Sequence, residues 1–521
     1  MTARIGRLGI AFILMYAVLF VQLNRVQFVD AEEYREHVGN IRPQLREFGQ
    51  ERGDIVTADG VVAAFSIPVE GGEIDFRRSY PTGDRYAHIV GFQSFNQGAF
   101  GLEREYNTEL AGQELDQQFE SIRDIFVDRD TTGTVVMTLR DDMQKAAAEA
   151  LGERKGSVVA LDPRTGEIIA MWTYPSFDPN VLSGLDGEAV NAAYSALLAD
   201  PDDPLLAKAY REVFFPGSTF KLVTAAAAID TADIGLLGPV WPDSSLYEPI
   251  PAGADLRNFG GSTCGGNLLE ALRVSCNTTF AEIGAEWVGP ELMSRTAENF
   301  GFNSPVPIDL PNATQSNFPT DYGAYLADVD HYRAPEPDPD TDEPTDGPIL
   351  PNGDTPVHEN TAILAQTSIG QNDVKATPLQ MAMVAAAIAN DGIIMAPYAV
   401  AEVRSADGDA YERYEPSAWR VATSPFAAEL LQEAMINVAE NGTARNMAID
   451  GLVVGGKTGT AQLGTDPPNS HAWVVGFAGQ AGGPAEIAVA VIVEAQPGAS
   501  EQTGGAVAAP IARAVIEAAL S

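Results

Sequence analysis

The chain is poor in basic side chains: across 521 residues, 32 Lys plus Arg stand against 72 Asp plus Glu, for a formal net charge of −40. Nucleic acid is therefore excluded as a partner at first sight, because displacing phosphate counterions needs a basic surface. Cysteine is scarcer still. Two cysteines, Cys264 and Cys276, cannot build a disulfide scaffold and form no Cys-x-x-Cys pair, which speaks against thiol redox chemistry and a structural zinc site. The histidines His37, His88, His331, His358 and His471 have no ligand spacing, and no Gly-rich phosphate loop precedes a helix, so no metal and no cofactor are expected. Only six residues are lysine. A saline milieu and an Arg-biased genome would both produce that balance. What the chain does have is length for two to four domains and, at 45% hydrophobic residues, enough apolar material for a large core.

One long apolar run is present, Leu8 to Leu23, preceded by Arg4 and Arg7 and followed by Asn24 and Arg25. Ile5 adds apolar length, and the flanking arginines can snorkel toward head groups, so the run is long enough to span. A cleaved signal peptide competes, but no small-x-small site follows. The expectation is a cytoplasmic stub and uncleaved anchor over residues 1–27, with the remainder extracytoplasmic by the positive-inside rule.

Residues 28–152 mix short alternating runs with Gly and Pro, including a hairpin turn at Ala58-Asp59-Gly60, and read as one N-terminal domain. Met143, Ala147, Ala150 and Leu151 predict a helix over 141–151. Two β-rich runs joined by Asp-Pro-Arg-Thr-Gly follow between Gly156 and Trp172, which opens a second domain, 153–521. Within it, residues 327–356 are rich in Pro and Asp and predict a solvated acidic insertion. The alternation Asp338, Asp340, Asp342 hints at calcium, yet Glu343 and Ile349 stand where an EF-hand loop needs Gly and a bidentate Glu.

The sharpest local signal is FFPGSTFKLVTAAAAI, Phe214 to Ile229. Pro216 and Gly217 predict a turn, and an apolar helix beginning at once places Ser218 in its first turn with Lys221 on the same face. A serine hydroxyl needs a base, and a lysine serves if burial keeps its amine neutral; Phe214, Phe215, Phe220, Leu222 and Val223 are the desolvating neighbours. The helix N-terminus favours a developing oxyanion. Alone, Ser-x-x-Lys is more simply an N-capping serine beside a surface lysine. Two further elements change that balance. Ser275-Cys276-Asn277 offers a hydroxyl for proton relay and an amide to grip a peptide bond. Lys457-Thr458-Gly459-Thr460 follows a strand-like run, with Thr458 and Thr460 on one face and Gly459 leaving room for a ligand; a lysine and two hydroxyls suit a carboxylate. Two of the six lysines thus fall in these motifs.

The order Ser-x-x-Lys, Ser-x-Asn, Lys-Thr-Gly resembles that of class B penicillin-binding proteins, closely the short penicillin-binding protein A type of actinobacteria. RGDIVTADG (52–60), GAFGLEREYNTELAG (98–112), SIGQNDVKATPLQMAMVAAAIANDG (368–392) and HAWVVGFA (471–478) extend the resemblance over nearly the whole chain except the acidic insertion. Asn372 departs from it, standing where glycine is frequent. The resemblance implies an α/β fold of α+β type: a penicillin-binding/β-lactamase-like transpeptidase domain, its antiparallel sheet flanked by helices, on an N-terminal pedestal or dimerisation-like domain with a single transmembrane anchor. It further implies a peptidoglycan D,D-transpeptidase that cross-links stem peptides in cell division or in maintaining cell shape, and that is acylated by β-lactams. Ser218 would be the nucleophile, Lys221 its base and Ser275 the proton relay. Asn277 would hold the donor amide, Lys457 would tune Ser275 and attract the terminal carboxylate, and Thr458, Gly459 and Thr460 would complete the substrate strand. The implied partners are a SEDS-family glycan polymerase and other wall-assembly proteins. A D,D-carboxypeptidase differs only in using water as acceptor; a non-catalytic divisome scaffold or penicillin sensor is the rival of another class. In an oxidising compartment Cys264 and Cys276 are expected to pair and brace the loop of Ser275 and Asn277. His471, near the Lys-Thr-Gly strand, reads as an ordinary hairpin histidine.

Overall fold

The computed structural model describes residues 2–29, 42–71, 74–112, 132–232, 234–249, 253–330, 354–465, 468–496 and 502–521. The Asp338–Ile349 calcium hint lies outside them. The chain divides into two units, residues 1–51 with 66–77, and residues 52–65 with 78–521.

The first unit carries helix α1 (Thr2–Asn24), continued by a π-helical turn Arg25–Val29. Between Gly6 and Phe28 the chain is long and apolar enough to cross a membrane, and it is the one such helix among the described residues. At 1.5 Å per residue a 23-residue helix reaches roughly 35 Å, more than a bilayer's hydrocarbon thickness.

In chain order the principal elements that follow are β1 (Ile55–Val56), β2 (Val62–Pro68), β3 (Phe76–Ser79), β4 (Thr134–Met137), α2 (Asp141–Leu151), β5 (Gly156–Leu161) and β6 (Ile168–Tyr174). Next come α3 (Lys221–Ala232), α4 (Leu268–Val274), α5 (Asn277–Glu282), α6 (Pro378–Ala389), β7 (Val400–Arg404), β8 (Ala410–Arg413) and α7 (Pro425–Asn441). The chain ends with β9 (Leu452–Gln462), β10 (Ser470–Gln480), β11 (Ile487–Val493) and α8 (Gly504–Leu520).

The central sheet has the order β9-β10-β11-β5-β6 and every pairing is antiparallel. All seven residues of β11 are buried, which a sheet achieves only with both faces covered. On one face lies α6, whose PLQMAMVAAAIA is buried at all but its last residue; Thr377 caps it, with Pro378 in the first turn. On the other lie α2 and α8. Because β9 is an edge strand, one side of its backbone is left open.

A second sheet, β8-β7-β4-β1-β2-β3, draws strands from both ends of the sequence. Here β4 runs parallel to β1 and antiparallel to β7, so residues 400–413 complete the sheet begun by residues 55–56. Asp309 accepts the N–H groups of Ala399 and Val400, each at 2.8 Å, and holds the start of β7. Beneath the sheet, buried Glu103 accepts from Arg52 Nε and Arg78 Nε, both at 2.7 Å, and from Tyr80 at 3.2 Å. Burial alone would raise the Glu103 pKa, but Arg78 and Arg52 hold it below the usual carboxylate value.

The acidic segment 327–356 opens and closes on paired strands. Tyr325–Asp330 and Asp354–His358 pair as an antiparallel ribbon, so residues 327–330 and 354–356 belong to strands rather than to a loop.

Candidate active site

Ser218 stands on a turn pinned from two sides. Gly217 has φ 54°, a left-handed conformation that glycine adopts freely, and its N–H donates to Gly370 O at 2.9 Å. A single 3₁₀ turn, Gly217–Thr219, carries Ser218, and the α-helix begins only at Lys221. The tighter turn replaces the α-helical start predicted above, because the left-handed Gly217 redirects the chain immediately before the serine. Across from it, a Cβ on Gly459 would lie 2.9 Å from Pro216 O and 3.0 Å from Thr219 Cγ2. Gly459 thus lets the Ser218 turn sit against β9; the space it leaves is filled by protein, which differs from a glycine kept clear for a ligand.

Ser275 lies between α4 and α5 with φ 60° and ψ 46°. Lys221 Nζ donates to Ser275 O and to Asn277 Oδ1, both at 2.7 Å, and stands 3.3 Å from Ser275 Oγ. Lys457 Nζ donates to the same Oγ at 2.8 Å and to Thr458 O at 2.9 Å. Both amines are fully buried. Desolvation, then the Lys457 charge, holds Lys221 well below its usual value, and desolvation lowers Lys457 to about 7. Phe280, which no motif flagged, lies 5.6 Å from the Lys221 amine.

A cleft of about 1340 Å³ opens over this group, lined by Ser218, Ser275, Asn277, Thr458 and Thr460 among others. Lys221, Lys457 and Gly459 do not line it; they lie beneath or behind. His471 lies away from it too: Nδ1 accepts from Ala495 N at 3.0 Å, the ring stands edge-on to Phe214, and burial pushes its pKa down to about 4.

The Ser-x-Asn loop is braced by residues that the motif does not contain. Asn258 Oδ1 accepts the N–H groups of Asn277 at 2.9 Å and Thr278 at 3.0 Å, capping α5 from a distant loop. Cys264 is bonded to Cys276, tying this turn to strand Cys264–Gly266. Thr458 Oγ1 donates to Thr443 Oγ1 at 2.6 Å. Neither Asn258 nor Thr443 bears a sequence mark of its role. Asn372, at φ 60°, occupies a conformation that asparagine tolerates better than most residues, so its replacement of the frequent glycine preserves the loop. Among the described residues no cluster of His, Cys, Asp or Glu is arranged to hold a metal.

An open-edged antiparallel sheet between helices, a serine at a turn over two buried lysines and a second serine between them define a serine acyltransferase of the penicillin-recognising class. Residues 156–517 match the penicillin binding protein transpeptidase domain and residues 52–136 the penicillin binding protein A dimerisation domain. The chain belongs to the penicillin-binding protein transpeptidase family. Peptidoglycan D,D-transpeptidase PbpA of Mycolicibacterium smegmatis is 37% identical over 537 residues, covering 100% of this chain and 99% of that protein. PbpA of Mycobacterium tuberculosis is 35% identical with the same coverage. The ceftriaxone acyl-enzyme structure of penicillin-binding protein A from M. tuberculosis superposes with a TM-score of 0.77 at 34% identity, covering 92% of this chain and 100% of that one.

Proposed function

We propose that this chain cross-links peptidoglycan stem peptides through an acyl-enzyme on Ser218, and that β-lactams acylate the same hydroxyl. The observation that carries the assignment is the convergence of two buried amines, Lys221 and Lys457, on Ser275 Oγ directly below a cleft that exposes Ser218. Burial depresses the pKa of Lys221, which favours its neutral form, and in that form it takes the Ser218 proton as the hydroxyl attacks the carbonyl between two D-alanines. Ser275 passes a proton to the leaving amine, and Lys457 sets the polarity of that hydroxyl. The N–H groups of Ser218 and Thr460 receive the oxyanion, each contributing about 3–4 kcal/mol to the transition state. Asn277 orients Lys221 through Oδ1 and has an N–H left for the donor amide. An amine from a second peptide then resolves the acyl-enzyme.

Arg4 and Arg7, ahead of the apolar run Leu8 to Leu23 within α1, support an extracytoplasmic catalytic unit. The resemblance to class B penicillin-binding proteins supports a SEDS-family polymerase and other wall-assembly proteins as partners that supply the glycan strand.

Labelled penicillin tests the nucleophile: wild type is expected to take up label covalently and Ser218→Ala to take up none. Undiminished label on the variant overturns Ser218. A depsipeptide donor with and without a D-amino-acid acceptor separates transfer from hydrolysis, since turnover insensitive to acceptor, without an aminolysis product, identifies a carboxypeptidase.

A further inference from the structure

A terminal carboxylate bound in this cleft needs a counter-charge, and the hydroxyls of Thr458 and Thr460 supply only neutral donors. Lys457 is the cation nearest in sequence. It is nevertheless fully buried beneath β9, its amine is spent on Ser275 Oγ and Thr458 O, and with a pKa lowered to about 7 it loses its charge just above neutrality.

Three arginines line the cleft: Arg257, Arg273 and Arg445. Arg273 is engaged, with Nε and Nη2 on the Glu270 carboxylate at 2.7 and 2.6 Å and Nη1 on Asn441 O at 3.0 Å. Arg257 is exposed and has no side-chain partner among the described residues; it stands on the Asn277 side of the cleft, where Asp255 is two positions away in the chain and Asp243 also lines the cleft. Arg445 stands on the other wall, beside the Thr458 and Thr460 strand. It is exposed, its side chain has no hydrogen-bond or ion-pair partner among the described residues, and no acidic residue lines the wall formed by residues 441–446 and 458–462. Its backbone is firmly placed. Ala444 and Met447 on either side are fully buried, Thr443 holds the Thr458 hydroxyl, and Asn446 Nδ2 donates to Gly505 O at 2.7 Å.

We propose that Arg445 is the cationic subsite for the C-terminal carboxylate of the donor peptide, acting beside the Thr458 and Thr460 hydroxyls. This rests on the transpeptidase reading above. A guanidinium suits the task, because its fork matches both carboxylate oxygens and its charge does not titrate. In a protein of net charge −40, one uncompensated cation at the cleft also decides whether an anionic peptide meets an attractive or a repulsive local field.

The test compares full-length wild type, Arg445→Ala and Arg445→Lys on a depsipeptide with a free terminal carboxylate and on the same compound with that carboxylate amidated. Arg445→Ala is expected to lower kcat/KM for the free acid by about tenfold to a hundredfold, mostly through KM, to flatten its salt dependence, and to leave the amide within about twofold. Arg445→Lys recovers part of the loss. Equal losses on both substrates, or none on the free acid, overturn the proposal; so does the same selective loss in Arg257→Ala, or a wild-type KM for the free acid that climbs as Lys457 titrates. Failure of wild type to acylate at all instead removes the transpeptidase reading and is distinguishable from each of these.

Discussion

Ser275 carries two constraints at once. Its backbone is left-handed, which costs a residue with a Cβ about 1–2 kcal/mol, and its hydroxyl bridges two buried amines. Relieving the first removes the second. Ser275→Gly is therefore expected to lose acylation by labelled penicillin by roughly 10²-fold or more while thermal stability holds or rises, a separation visible in parallel acylation and melting measurements. The lysines make a pH prediction. On the proposed mechanism acylation needs neutral Lys221, so its rate falls as pH drops through that residue's folded-state pKa; burial, then the Lys457 charge, holds this well below 10.5, so the rate reaches its plateau at a lower pH than a free lysine would allow. Measured up to about pH 11, the rate is expected to level off below 10.5, whereas an unshifted lysine base would keep rising about tenfold per pH unit up to that value.

At the scale of elements, the decisive contact is the 3₁₀ turn of Ser218 against edge strand β9. It is permitted by Gly459 and repeated at Gly370, where a Cβ would fall 2.2 Å from Gly217 O. Both close approaches are to backbone, which cannot swing aside as a side chain would. Gly459→Ala is accordingly expected to displace the turn, lowering the acylation rate at least about tenfold and stability by about 1–3 kcal/mol; penicillin labelling and thermal unfolding read the two effects. The Cys264–Cys276 bond and the Asn258 cap act on the opposite wall in the same sense, fixing the loop of Ser275 and Asn277 relative to its neighbours.

At the scale of the molecule, the sheet in which β4 lies between β1 and β7 joins residues 55–56, 134–137 and 400–404 in one construction. Its hub is Glu103, fully buried between Arg52 and Arg78. Removing one partner leaves charge uncompensated in a dry interior. Arg78→Ala should cost about 3–5 kcal/mol, seen as a lower melting temperature, with penicillin acylation of the folded fraction retained because Arg78 lies outside the cleft lining. The charge of −40 is a property of the same scale: it says little about which peptide is bound, and it makes the few unpaired cations informative.

The three motifs, the apolar N-terminal run, the helix at 141–151 and the hairpin between Gly156 and Tyr174 were legible in the chain, because each is a local pattern of polarity, turn residues or spacing. The pairing of Cys264 with Cys276, expected in an oxidising compartment, is present. Contacts between residues far apart in sequence were not legible. Asn258 capping α5, Thr443 meeting Thr458, and β7 completing a sheet begun some 345 residues earlier depend on long-range packing, which leaves no periodic trace. Tertiary structure likewise decided which lysines face solvent and which lie buried. That distinction lowers the pKa values of Lys221 and Lys457, suits Lys221 to the proposed role of base, and turns Lys457 toward Ser275, while Arg445 stands at the cleft without a side-chain partner among the described residues.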